Sequence, residues 1–215
     1  MFADSVRLFA LAREAYDRSA AKAGPRDLVE SDPLIAVVFS VAALQAFVSE
    51  VAELARGSDE PKVRRLGEVL EEVEDCQGRF SLKVLLVSII LSGESYDKGK
   101  QPWQDFQLLV ELRNDLVHLR PLDEERPVTR TNAGIVTLSY DVEHPRILDK
   151  LRPKNILLVG DAQESWVTQV MTPAVAQWAC NTASKMVKSV ADVMPPSWPS
   201  TTLDIFYRPN FPLTS

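Results

Sequence analysis

The sequence is poor in the residues that build many catalytic and metal sites. It contains only two histidines, His118 and His144, and two cysteines, Cys76 and Cys180, which match no metal-ligand spacing. A zinc site would therefore have few ligands to draw on. His-Glu-x-x-His, a glycine-rich phosphate loop and Gly-x-Ser-x-Gly are all absent from the sequence. We expect no metal, no cofactor and two free thiols in a reducing compartment.

The sequence also lacks an excess of positive charge and a long apolar run. The net charge is −6, which argues against broad attraction to nucleic acid or to an anionic membrane and leaves room for a small phosphate site. The most apolar stretch, residues 33–48, is shorter than the ~20 residues of a membrane span and predicts a buried helix. Charged residues interrupt the first twenty residues, which therefore lack the continuous apolar run of a secretory signal. We expect a cytoplasmic protein with no membrane contact.

Apolar residues at helical spacing occupy most of the chain, and its length and composition favour one domain. The fold class we predict is all-α, a bundle of about five to six helices. Ser31 and Ser81 are expected to cap the second and fourth helices, and Pro173 to kink or divide the last one. The predicted helices lie at about 2–23, 33–57, 61–77, 82–91, 103–120 and 163–194.

Two regions break the helical pattern. Residues 121–160 are predicted to form an irregular insertion, with a small β-hairpin near 127–140 around a glycine-bearing turn. Residues 195–215 hold five prolines and four aromatics, which predicts an extended tail docked on the body. The predicted division is a helical domain over 1–194 and a C-terminal tail over 195–215.

The fifth predicted helix carries a charged side chain on its apolar face. On a wheel at about 100° per residue, Arg113 falls inside the broad apolar arc. Asn114 and His118 share the polar arc, one turn apart. A buried guanidinium without a partner costs several kcal/mol, so Arg113 needs an explanation.

Two interpretations of Arg113 are open from the residues alone. It can pair with an internal carboxylate such as Glu50 or Glu53, or lay its stem on the core and reach solvent. Alternatively, Arg113 and His118 together hold a phosphodiester, the arginine by its forked donors and the histidine by proton transfer near neutral pH.

A short motif in this helix, RNDLVH at 113–118, resembles the signature of the HEPN superfamily. In that signature an arginine is followed by a polar residue and, four to six positions after the arginine, by a histidine. The helix at 40–54 is similar to an early helix of many HEPN-like proteins, but has Gln45 and Ser49 where those often carry an acidic residue and an asparagine. The resemblance covers residues 1–120 and the helix after 162.

The resemblance implies a HEPN-like bundle that is usually a two-fold dimer, with the motif helices facing each other across a cleft. In active members this cleft is a metal-independent endoribonuclease site. Attack by a ribose 2′-hydroxyl needs a base and an acid, and two copies of His118 would supply both. Paired Arg113 side chains would stabilise charge on the phosphate. Asn114 would fix the imidazole or contact RNA, and Asp115 would hold Arg113 or be a surface carboxylate. Beyond the motif, Arg120 can line an RNA path or belong to a charged, solvated loop, since acidic residues follow it.

Two functions therefore compete. The first is a HEPN-type endoribonuclease of the toxin or defence type, a homodimer acting on RNA and controlled by a separate antitoxin or regulatory protein. The second is a non-catalytic HEPN-like helical module that binds a protein or nucleotide partner, with Arg113 as a buried structural ion. The acidic net charge favours the second.

Overall fold

The computed structural model describes residues 3–21, 31–118, 126–132, 135–141, 146–158 and 165–214. These residues form a helical bundle with one β-hairpin, which confirms the predicted all-α class. In chain order the elements are α1 (Asp4–Ala21), α2 (Asp32–Arg56), α3 (Pro61–Asp75), α4 (Phe80–Ser92), α5 (Trp103–Val117), β1 (Arg126–Asn132), β2 (Ile135–Asp141), α6 (Arg146–Leu151), α7 (Trp166–Val170), α8 (Pro173–Val193), α9 (Trp198–Thr202) and α10 (Arg208–Asn210).

Helix α2 is the centre of the bundle. It contacts α1, α3, α5 and α8, and about half of its residues are buried. By length and composition α2 is the one helix of the described ranges that could cross a membrane, but half of its most apolar window is buried in the fold. Burial of this kind is typical of a core helix, so its length and composition are weak evidence for a membrane span.

Helix α1 lies along α2 and is tied to it by polar contacts at both ends. The Ser5 amide and hydroxyl donate to the Glu50 carboxylate at 3.0 and 2.5 Å. At the other end Arg18 donates to Asp32 at 2.8 and 3.0 Å. These contacts fix the register of the two helices.

The close approach of α3 to α2 depends on a glycine. A Cβ at Gly67 would lie 2.6 Å from the Arg56 amide nitrogen and 2.8 Å from the Ala52 carbonyl oxygen. Glycine is the residue that permits this contact, because it has no side chain. A second glycine, Gly93, ends α4 with a left-handed φ of 80°.

The two serine caps that the sequence predicts are wrong. Ser31 precedes α2, but its side chain accepts no capping hydrogen bond. Helix α4 starts at Phe80, with Arg79 at the N-cap, so Ser81 lies inside the helix. The apolar pattern reaches Phe80, which packs on Phe106, and this packing extends the helix beyond the serine.

The predicted division of the last long helix is confirmed. Helix α7 ends before Pro173, and α8 begins at that proline. The Thr172 side chain accepts a hydrogen bond from the Val175 amide at 3.0 Å and so caps α8.

The predicted hairpin is also present. Strands β1 and β2 pair antiparallel, with Arg126 opposite Asp141 and Asn132 opposite Ile135. The predicted glycine-bearing turn at residues 133–134 lies outside the described residues, as do residues 119–125 and 142–145 on either side of the hairpin.

The C-terminal segment is not extended, contrary to the prediction. Helix α9 continues through a π-helical turn, Leu203–Tyr207, into α10. Phe211 stacks on Phe9 with ring centroids 4.4 Å apart, and Tyr207 packs edge-on against Phe47 at 5.3 Å. Tyr207 and Phe211 are four residues apart, about one helical turn, so the helical segment places both rings on one face against the core.

We expect Phe211→Ala to lower the free energy of unfolding by about 3–5 kcal/mol, because it leaves a cavity under the stacked ring of Phe9. Phe206→Ala is the matched control, since Phe206 is 42% exposed and should change stability by less than about 0.5 kcal/mol. Urea denaturation measures both. Equal losses would show that the segment is not docked through Phe211.

The two thiols should differ sharply in reactivity. Cys76 is exposed and Cys180 is buried, where its burial raises the pKa of the thiol to about 11. A thiolate is the reactive form, so one thiol per folded chain should react rapidly with a disulfide reagent at pH 8, and two after unfolding. Rapid reaction of both thiols in the folded chain would contradict the packing of α8 on α2.

Candidate functional site

Helix α5 presents a narrower apolar face to the core than its sequence predicts. Phe106, Leu109 and Leu112 are fully buried, whereas Val110 is half-buried and Val117 is 51% exposed. A helical wheel counts every apolar residue as core, and this widened the predicted arc. Arg113 therefore lies at the edge of the buried face, half-buried, and not within the core.

The partner of Arg113 is a neutral side chain on α2. Its Nη2 donates to Gln45 Oε1 at 3.1 Å. The predicted partners Glu50 and Glu53 are wrong, because Glu50 faces Ser5 on α1 and no ion pair between Arg113 and a described carboxylate is present. An amide oxygen satisfies one donor and leaves the positive charge uncompensated.

Arg113 lines an open cleft between α2, the start of α4 and α5, which we call the arginine cleft. Its volume is about 570 Å³, within the range of ligand sites. The lining residues are Gln45, Arg79, Phe80, Ser81, Gln107, Val110, Glu111, Arg113, Asn114 and Asp115.

The charges of the arginine cleft favour an anion. Arg79 stands at the N-terminus of α4, whose first amides have no side-chain cap, so the helix dipole adds to the field of both arginines. Of the two carboxylates in the lining, Glu111 accepts from Lys150 Nζ at 2.6 and 2.8 Å. Neither Arg79 nor Arg113 pairs with an acid in the part of the chain that the structure describes.

His118 follows the last residue of α5, which ends three residues earlier than predicted. It is the C-cap of α5, with φ −114° and ψ 53°, and is exposed. Its amide donates to the Asn114 carbonyl at 2.9 Å. Within the described ranges the two side chains share no hydrogen bond, and His118 does not line the arginine cleft. One chain therefore brings Arg113 and Asn114 together without the histidine.

The remaining predicted site residues divide in two. Asp115 is half-buried and lines the arginine cleft. Arg120 and the second histidine, His144, lie outside the described residues. Within the described ranges, no group of three or more His, Cys, Asp or Glu side chains could hold a metal ion.

Sequence reasoning missed Arg79, Ser81 and Lys150 as members of this region. Helix α4 begins at Phe80, two residues before its predicted start, and its first residues and Arg79 line the cleft. Lys150 reaches α5 from α6, inside the segment that the sequence marked only as irregular. The available signal was Arg79, which stands two residues before the predicted cap Ser81 in the sequence.

No protein-family model matches this chain, no curated protein matches its sequence and no solved structure matches its fold. The resemblance to HEPN proteins therefore rests on the motif at residues 113–118 and on the helical architecture.

Replacing Gln45 with glutamate should switch off the anion-binding capacity of Arg113. The new carboxylate would pair with the guanidinium, and an exposed pair changes the free energy of unfolding by only about 0–1 kcal/mol. We expect the Arg113 side-chain NMR signal to shift on titration with inorganic phosphate in the wild type and to stay fixed in Gln45→Glu. Gln177→Glu on α8 carries the same charge change as a control and should behave as the wild type. Equal shifts in all three proteins would contradict the proposed role of Gln45.

Proposed function

We propose that this protein is a metal-independent endoribonuclease of the HEPN type, a homodimer that cleaves RNA with Arg113 and His118 from two subunits. The observation that carries the proposal is the Arg113 guanidinium, half-buried at the rim of an open cleft and held by a neutral amide. Such a group is pre-oriented and still free to bind an anion.

The proposed chemistry assigns separate tasks to the motif residues. Arg113 binds the scissile phosphate, with Arg79 and the N-terminus of α4 adding positive potential. His118 of one subunit removes the proton of the ribose 2′-hydroxyl, whose oxygen attacks phosphorus. The second subunit's copy of the same histidine protonates the departing 5′-oxygen, leaving a 2′,3′-cyclic phosphate. Asn114, which is exposed and adjacent to Arg113, contacts the RNA.

The need for a second subunit is supported by what surrounds His118. No histidine of the described residues lines the arginine cleft, so the proposed acid and base require a second chain whose contact brings both copies of His118 to the phosphate at Arg113. Val117, next to it, is 51% exposed. Helix α4, whose first residues line the same cleft, is apolar on all sides, yet Leu82 and Ile89 are exposed. These apolar surfaces fit a contact with another copy.

The alternative is a non-catalytic module that binds a protein or nucleotide partner through the arginine cleft. The position of His118 favours it, because a single chain presents an anion site without a general base of the predicted kind. The buried structural ion that this alternative assumed is wrong, since Arg113 is half-buried and forms no described ion pair.

The setting of the proposed enzyme follows from its activity. A ribonuclease of this type acts in the cytoplasm and must be restrained, so we include a separate antitoxin or regulatory protein among its partners. Closure of the arginine cleft by that protein would be sufficient restraint.

The direct test is cleavage of a labelled RNA in the presence of a chelator. We expect fragments with 2′,3′-cyclic phosphate ends, and a loss of at least about a hundredfold in rate for His118→Ala and for Arg113→Ala, the scale of general acid–base and electrostatic catalysis.

The folded state serves as the control in that experiment. Both side chains are partly or fully exposed, so each variant should unfold within about 1 kcal/mol of the wild type. Unchanged cleavage by both folded variants would exclude the ribonuclease proposal. Phosphate binding without cleavage would favour the alternative.

A further inference from the structure

A second cleft adjoins the arginine cleft along α5, and we call it the lysine cleft. Its volume is about 700 Å³. It is lined by Lys98, Trp103, Gln104, Gln107, Leu108, Glu111, Lys150, Pro153 and Lys154. Gln107 and Glu111, one turn apart on α5, line both clefts, so the two share a wall and run along the same helix.

The joined clefts are cationic in an acidic protein. Five cations line them, against three carboxylates, those of Glu111 and Asp115 in the lining and that of Asp105, which pairs with Lys154, whereas the whole chain has a net charge of −6. The excess positive charge is thus concentrated on one side of α5. A concentration of this kind creates a local field that attracts a polyanion even when the protein as a whole does not.

The lysines are held in place by acids that sit on α5. Lys150 Nζ donates hydrogen bonds to both carboxylate oxygens of Glu111. Lys154 Nζ lies 2.5 Å from Oδ1 of Asp105, a buried residue. Lys98, on the loop before α5, forms no ion pair with a described residue. The pairs anchor two ammonium groups at the rim, where their remaining N–H donors can meet phosphate oxygens.

The dimensions suit a short stretch of single strand. From Gln104 to Asn114 the groove follows α5 for about 15 Å, at 1.5 Å per residue. Phosphates of a stacked strand advance about 3.4 Å each, so about four nucleotides span this distance. Leu108 and Pro153 give the lysine cleft an apolar floor over the buried ring of Trp103, and this floor is suited to contact with bases.

We propose that the arginine and lysine clefts form one groove that binds single-stranded RNA, in which Lys98, Lys150 and Lys154 hold phosphates of nucleotides flanking the one at Arg113. This rests on the proposed ribonuclease function and specifies its substrate: a single strand of several nucleotides, gripped mainly by its backbone. Binding should therefore depend steeply on salt and little on sequence.

The ion pair between Lys150 and Glu111 allows a test with opposite signs. Lys150→Gln removes a phosphate contact, and Glu111→Gln removes the carboxylate that competes with phosphate for the same lysine. A purely structural role would make the two substitutions equivalent, because each breaks the same pair. An RNA groove requires the first to weaken binding and the second to strengthen it.

The measurement is fluorescence anisotropy with a labelled 2′-O-methyl oligonucleotide, which lacks the attacking hydroxyl and so reports binding without cleavage. We expect Lys150→Gln and Lys154→Gln each to raise Kd about three- to tenfold and to reduce the slope of log K against log salt by about 0.7. Glu111→Gln should lower Kd. Lys188→Gln is the matched control, since this exposed lysine also pairs with a carboxylate, Asp192, and should leave Kd unchanged.

Three outcomes would overturn the groove. They are no binding by the wild type at low salt, equal effects of Lys150→Gln and Glu111→Gln, and equally tight binding of an acidic peptide such as polyglutamate. If the lysine variants bind RNA as the wild type does while Arg113→Ala abolishes cleavage, the RNA-binding groove is excluded and the ribonuclease proposal is supported. If the variants change RNA binding as proposed but the wild type cuts no RNA, the ribonuclease proposal is excluded and the RNA-binding groove is supported.

Discussion

The fold is organised by the need to cover α2. This 25-residue helix is apolar enough that it must be shielded on most sides, and α1, α3, α5 and α8 all pack against it. Its few polar side chains then decide where other elements attach: Glu50 holds the start of α1, and Gln45 receives Arg113 from α5. The same helix thus carries the core and orients the candidate site.

The neutrality of Gln45 has the largest functional consequence. A carboxylate in its place would pair with Arg113 and close the site to anions, whereas an amide oxygen orients the guanidinium and leaves its charge for a ligand. Arg79 and the start of α4 then add to the positive potential, and neither Arg79 nor Arg113 pairs with an acid of the described residues. A protein with a net charge of −6 can in this way offer two arginines without described acidic partners to an anion.

The helices were predictable because apolar spacing and proline positions are local signals. Pro173 lacks a backbone N–H, and α8 begins at this residue as the sequence predicts. The two strands of the hairpin were predictable from short strand-like runs on either side of a glycine-bearing stretch. The C-terminal segment was not predictable, since its helical form depends on where Phe9 and Phe47 place the groove that receives Phe211 and Tyr207.

The candidate site was predictable only in part. The motif identified Arg113 and Asn114, but the environment of Arg113 depends on Gln45, 68 residues earlier in the chain. The wheel could not show that Val110 is only partly buried and that Val117 is exposed, so it placed Arg113 in the core although this residue lies at the edge of a cleft. His118 ends the helix, and no periodicity argument locates a side chain beyond the last turn.

The central claim is that two copies of His118 meet at one site. It can be tested by placing the sole exposed thiol of the described residues there, as His118→Cys in a Cys76→Ser background, since Cys180 is buried. A short bismaleimide should then join two chains rapidly, and equilibrium sedimentation should give a dimer, while the Cys76→Ser parent stays uncrosslinked. A monomer at all concentrations, or a dimer that the reagent does not join through position 118, would contradict the two-subunit site.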